Sequence, residues 1–165
     1  MSACFVSCFN RRRTAVILAL FAGLAAVGLL DARPPNQKRD EDVLFQPVAG
    51  PIDKEGRQTI KIKMKVLKGW HAFANPVQND EYEPNRTEVK ISSLNKLEQV
   101  SIVYPPGKRY SQQKDVFQIY EGEVEIVAII KRGAGEVGPL VVTVDYTVCD
   151  ENVCKLRQTA KFDVK

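Results

Sequence analysis

The chain has 165 residues, 44% of them hydrophobic, with 24 basic and 20 acidic side chains and a formal charge of +4. That length holds one domain with a real core, and not two once the atypical N-terminal segment is set aside. Removing residues 1–32 takes away three Arg and one Asp and leaves 21 basic against 19 acidic groups, a balance that makes no case for nucleic-acid binding.

The first element is an export signal. Arg11, Arg12 and Arg13 precede the uncharged run Thr14 to Leu30, and Asp31 ends it. Its apolar stretch is shorter than the roughly 20 residues of a membrane span and longer than the roughly 7–15 of a cleaved signal core. Residues 1–32 therefore read as either a signal peptide or a signal anchor, with a membrane tether through 14–30 in the second case. Either way the rest of the chain is expected outside the cytoplasm. Cys4 and Cys8 precede the apolar run and stay apart from Cys149 and Cys154.

Residues 33–42, with two prolines, dense charge and no apolar periodicity, read as a polar linker. The folded domain is expected over 43–165. In TIKIKMKVL, Thr59 to Leu67, Ile60, Ile62, Met64 and Val66 share one face and Lys61, Lys63 and Lys65 the other, which predicts a half-buried strand. The lysine row reads as a solvated face or a protected edge strand. Shorter strands follow at Trp70 to Ala74, Thr87 to Ile91, Val100 to Tyr104, Phe117 to Tyr120, Val124 to Ile130, Leu140 to Val148 and Leu156 to Val164. Turn formers separate them, among them Asn75-Pro76, Pro105-Pro106-Gly107 and Gly133-Ala134-Gly135. About eight short strands without helices between them predict an all-β, immunoglobulin-like antiparallel sandwich.

The last two strands flank Cys149-Asp-Glu-Asn-Val-Cys154, so the cysteines close a hairpin loop. In an exported chain they are expected to be bonded to each other. So short a loop stabilises by only about 2 kcal/mol through chain entropy, a weak reason to have the bridge. Pairing Val142 with Phe162 sets Cys149 opposite Lys155, so direct pairing of the cysteines requires a one-residue slip, a β-bulge between Cys154 and Ala160.

Four pieces in order, Gly69-Trp70-His71-Ala72-Phe73-Ala74-Asn75-Pro76, Tyr104-Pro105-Pro106-Gly107 before a polar loop, Tyr120-Glu-Gly-Glu-Val-Glu and Val148-Cys-Asp-Glu-Asn-Val-Cys154, resemble the N-terminal domain of the DsbD-type thiol:disulfide interchange proteins. The resemblance spans roughly Thr59 to Val164 and implies a sandwich with redox cysteines on a hairpin. It implies that Cys154 forms mixed disulfides with partners and that Cys149 resolves them. Lys155 and Arg157 would then favour a thiolate, while Asp145, Asp150 and Glu151 oppose it. An aromatic cap over the disulfide has Tyr110 as its candidate, with Tyr146 and Asp145 as further pocket residues. The implied partners are a thioredoxin-like or DsbD-type membrane reductase acting in trans, and a periplasmic disulfide isomerase or cytochrome-maturation thioredoxin. The implied location is the periplasm or the outer face of the inner membrane. No cofactor is implied. His71, the sole histidine, reads as a packing residue at a strand end, and two cysteines with one distant histidine do not assemble a metal site. The competing reading is a tethered, non-catalytic binding sandwich with a static disulfide.

Overall fold

The computed structural model describes residues 38–39 and 42–165; the signal or anchor segment 1–32, with Cys4 and Cys8, lies outside the described residues. In chain order the strands are β1 (Lys38–Arg39), β2 (Val43–Ala49), β3 (Arg57–Val66), β4 (His71–Phe73), β5 (Glu88–Ser93), β6 (Gln99–Val103), β7 (Lys108–Gln112), β8 (Asp115–Tyr120), β9 (Gly122–Lys131), β10 (Leu140–Tyr146), β11 (Val148–Cys149) and β12 (Gln158–Val164). One turn of 3-10 helix spans Glu83–Asn85.

All pairings are antiparallel and form three sheets, ordered β1-β2-β3-β9-β6, β12-β10-β5 and β11-β4-β8-β7. The first two face each other across the main core, to which β3 gives Ile60, Ile62, Met64 and Val66, β9 gives Ile126, Ala128 and Ile130, and β10 gives Leu140, Val142, Val144 and Tyr146. Each large side chain so buried contributes about 1.5–3 kcal/mol, so these alternating faces dominate the sandwich's stability. Phe45 of β2 joins the layers, with its ring 4.9 Å from Tyr146 and 6.0 Å from Phe162. This is the immunoglobulin-like antiparallel sandwich that the strand pattern predicts.

Three local differences from the sequence reading have physical reasons. The lysine row of β3 is solvated, but β3 is an interior strand between β2 and β9, so edge protection does not apply; Lys65 pairs with Glu123 at 2.9 Å and Lys61 with Glu125 at 3.4 Å. Strand β2 escapes the pattern because Pro47 interrupts it. It tolerates the proline because β1 pairs only with Leu44 and Phe45, which leaves no described strand to bond at Pro47 on that side. The polar segment after Gly107 is the hairpin β7-β8 rather than a loop, with no apolar alternation in Lys108–Gln112 to announce it. Lys38–Arg39, inside the segment read as linker, pairs with Phe45 and Leu44.

The quoted motifs converge in space. The Tyr120 hydroxyl donates to the Pro105 carbonyl at 3.1 Å and accepts from the Asn75 amide at 3.2 Å, while the Tyr104 hydroxyl accepts from the Val89 amide at 2.8 Å. Gly107 lies against this junction, where a Cβ would sit 2.7 Å from the Cβ atoms of both Ala74 and Gln118. Neither atom can swing aside, so Gly107→Ala is expected to destabilise by about 1–3 kcal/mol, read as a lower urea midpoint with an unchanged slope.

Candidate functional site

Residues Val142, Val144 and Tyr146 pair with Phe162, Ala160 and Gln158 in one unbroken register. Beyond Tyr146 the chain changes sheets: Val148 and Cys149 leave β12 and pair with Ala72 and His71 of β4. The buried Thr147 marks the switch, its carbonyl accepting from the Phe73 amide at 3.3 Å. Cys149 then bridges Cys154 directly, so residues 147–148 on one arm oppose 155–157 on the other. This is the one-residue slip that the strand parity requires, a bulge that turns the cysteines out of the main sandwich and onto the third sheet.

Cys149 and Cys154 form a disulfide, with Cα atoms 3.9 Å apart. Asp150 fixes the intervening turn, since its amide donates to the Val153 carbonyl at 2.9 Å and its Oδ1 accepts from the amides of Asn152 and Val153, both at 2.7 Å. Those amides, Asn152 first, hold the Asp150 carboxyl below the usual carboxylate range.

The two sulfur-bearing residues differ sharply in surroundings. Cys149 is 2% exposed and belongs to a cluster with Phe73, Val77, Phe117 and Ile119, edged by Tyr82 and Tyr110. Cys154 is exposed at the surface. Val153 (57%) and Leu156 (90%) present apolar side chains on either side of it. An incoming thiolate therefore has access to Cys154, and the sulfur it would displace is the buried Cys149.

Tyr110 reaches the site: its ring lies 4.7 Å from His71 and 5.5 Å from Phe117, so it covers the cluster that holds Cys149. Tyr146 lies in the main core against Phe45, and Asp145 is held by Thr159 at 2.6 Å and Lys90 at 3.0 Å on the β5-β10-β12 sheet. Neither belongs to the cluster around Cys149. The Thr159 hydrogen bond and the Lys90 charge depress the Asp145 carboxyl. Lys155 and Arg157, expected to favour a thiolate, both make contacts with the body of the domain. Lys155 Nζ is 2.7 Å from Asp42 Oδ1 and lies over the Trp70 ring, and Arg157 donates to the carbonyls of Pro84 and Arg86. Both cations hold the hairpin's return arm to the domain.

Asp42 is the residue that the sequence reading passed over, and His71, read as a packing residue, has a neighbour that the sequence did not announce. Asp42, inside the segment read as linker, is 1% exposed and gives the hairpin its anchor. His71 is buried beyond a strand-end rim position, 5% exposed and directly opposite Cys149. Its Nε2 has no hydrogen-bond partner among the described residues. Burial lowers its pKa, opposed by the charges of Glu121 and Asp150. A groove of about 560 Å³ opens beside it, lined in part by Leu67, Lys68, Trp70, Tyr110 and Glu151.

The depressed imidazole has a stability consequence. The folded state binds the His71 proton more weakly than the unfolded state, so its contribution is complete above about pH 6.5 and lost as pH falls through that value toward the folded pKa. Unfolding stability is expected to fall between pH 6.5 and 5, with a shallower slope in His71→Gln, as measured by urea titrations across that range.

The description "Thiol:disulfide interchange protein DsbD, N-terminal" belongs to the family model that matches residues 37–165. No curated protein matches in sequence. Among solved structures, the N-terminal periplasmic domain of ScsB from Proteus mirabilis is similar at 13% identity and a TM-score of 0.60, over 75% of this chain and 46% of that one. The chain thus spans under half the length of that structure. The Neisseria meningitidis DsbD N-terminal domain in its reduced form is similar at 17% identity and a TM-score of 0.48, over 73% and 84% of the two chains. The same domain in its complex with the PilB N-terminal domain gives 18% identity and a TM-score of 0.49, over 81% and 87%. The chain belongs to the family of DsbD N-terminal domains.

Proposed function

We propose that this domain carries reducing equivalents outside the cytoplasm by cycling Cys149 and Cys154 between disulfide and dithiol. The observation that carries this reading is the asymmetry of the pair: an exposed Cys154 bonded to a Cys149 that is 2% exposed and packed among aromatic residues. In the reducing half, a thiolate of a membrane-embedded reductase or its thioredoxin-like companion attacks Cys154 Sγ and displaces Cys149, which takes up a proton. The reductant's second thiol then attacks its own sulfur in the mixed disulfide, releasing Cys154 as a thiol and leaving the reductant as a disulfide. In the donating half, the Cys154 thiolate attacks a partner disulfide, and Cys149 attacks Cys154 Sγ to release the partner reduced. Oxidised periplasmic thiol proteins, such as a disulfide isomerase or a cytochrome-maturation thioredoxin, are the acceptors that family membership supports. Tyr110 acts as the cover over the buried sulfur.

The test is capture in the exporting cell. Cys149→Ala leaves Cys154 unable to be resolved, so a partner accumulates as a mixed disulfide on non-reducing gels, and Cys154→Ala captures none. Absence of any captured protein with Cys149→Ala would favour a static staple in a binding domain.

A further inference from the structure

Cys149 is the thiol that must lose a proton before it can resolve a mixed disulfide, and its surroundings of Phe73, Val77, Phe117 and Ile119 supply no base. Burial of that kind disfavours a thiolate. The cross-strand residue does supply one. His71 and Cys149 are direct partners of β4 and β11, and side chains so placed have Cβ atoms about 4.5–5.5 Å apart on one face. Both are buried, at 5% and 2% exposure. His71 Nε2 is shielded from solvent without a hydrogen-bond partner among the described residues, and the Tyr110 ring lies 4.7 Å from the imidazole, tilted by 33°.

We propose that His71 is the general base for Cys149, taking the thiol proton on its imidazole when the mixed disulfide on Cys154 is resolved; the inference rests on the exchange reading above. The step balances: the Cys149 S–H bond breaks and an imidazolium N–H forms. The Cys149 thiolate attacks Cys154 Sγ, the intramolecular S–S bond forms, and the partner sulfur leaves with the electron pair, to which the imidazolium returns the proton. In the reverse direction the same imidazolium protonates the Cys149 sulfur as it is displaced.

The charged and titratable groups about the ring are Glu121 and Asp150, which favour the imidazolium once formed, the Tyr110 phenol on its face, and Lys65, Lys68 and Glu151 along the adjoining groove. Burial outweighs the two carboxylates and keeps the resting imidazole neutral at pH 7, the form a base needs.

Stopped-flow reaction of the reduced domain with excess dithiobis(nitrobenzoate) separates the steps. Attack by Cys154 releases one thionitrobenzoate at a rate proportional to reagent, and resolution by Cys149 releases a second at a rate independent of it. In His71→Gln and His71→Phe, the second phase is expected to slow by about 100-fold at pH 7, with the first phase within about twofold of native. In the native protein, the second-phase rate is expected to fall with the imidazole titration followed by NMR, below about pH 6.5. A second phase within about threefold of native in the variants, or a native inflection only near the ordinary thiol value of about 8.5, would overturn the role of His71 while leaving exchange intact. Absence of a second release from the native protein would instead refute the exchange reading.

Discussion

Replacing Cys154 with Ser is expected to abolish disulfide exchange, lowering the rate toward any protein or small-molecule disulfide by at least about 10³-fold. The reason is access: Cys154 is the exposed member, whereas Cys149 is 2% exposed behind Phe117, Ile119 and Phe73. Cys149→Ser has the opposite phenotype. The first half-reaction proceeds, and the protein stops as a mixed disulfide on Cys154. In the reduced native domain, the same asymmetry makes iodoacetamide label Cys154 at least about tenfold faster than Cys149, read by peptide mass spectrometry after a short pulse. Equal labelling of the two thiols would mean that the buried cluster opens on reduction.

Lys155→Met is expected to be the most destabilising substitution near the hairpin that leaves both sulfurs in place. Asp42 is 1% exposed, and the variant removes the ammonium 2.7 Å from its Oδ1, with Oδ2 already lacking a partner among the described residues. Breaking a fully buried pair on one side costs about 3–5 kcal/mol; because the Lys155 side chain is 33% exposed, screening reduces the expected loss to about 2 kcal/mol. Adding Asp42→Asn to Lys155→Met removes the stranded charge and restores most of that loss, a non-additivity that a double-mutant cycle in urea measures. Additive losses would mean that the two groups do not interact in solution. The same contact ties the residue after Cys154 to the residue before β2, so Lys155→Met is also expected to loosen the hairpin, visible as faster amide exchange at Asn152 and Val153.

The hairpin and its bulge were legible from strand parity, because a period of two along Val142 to Val148 and Ala160 to Val164 leaves the cysteines one residue out of step. The main core was legible for the same reason in β3, β9 and β10. Less legible was how β11 departs from its hairpin partner to pair with β4. Nothing in Val148-Cys149 distinguishes pairing with β12 from pairing with His71 and Ala72, because register between distant strands is a tertiary property. That switch is what brings His71 opposite Cys149, so a lone histidine in Trp70-His71-Ala72 looked like packing. Asp42 was hidden by its neighbours Asp40 and Glu41, a charge run that reads as solvated although its last member is buried against Lys155. Tyr110 could be singled out as an aromatic in a polar segment, but its contact with His71 depends on the β7-β8 hairpin, which has no apolar alternation to announce it.

Whether Cys149 and Cys154 cycle is decided most directly by their reduction potential. Equilibrating the domain with graded dithiothreitol or glutathione buffers at pH 7, and counting free thiols by mass after alkylation, gives that value. A midpoint between about −180 and −270 mV, the range of thiol-exchange proteins, is expected; a midpoint below about −300 mV, where structural disulfides lie, would contradict a carrier of reducing equivalents.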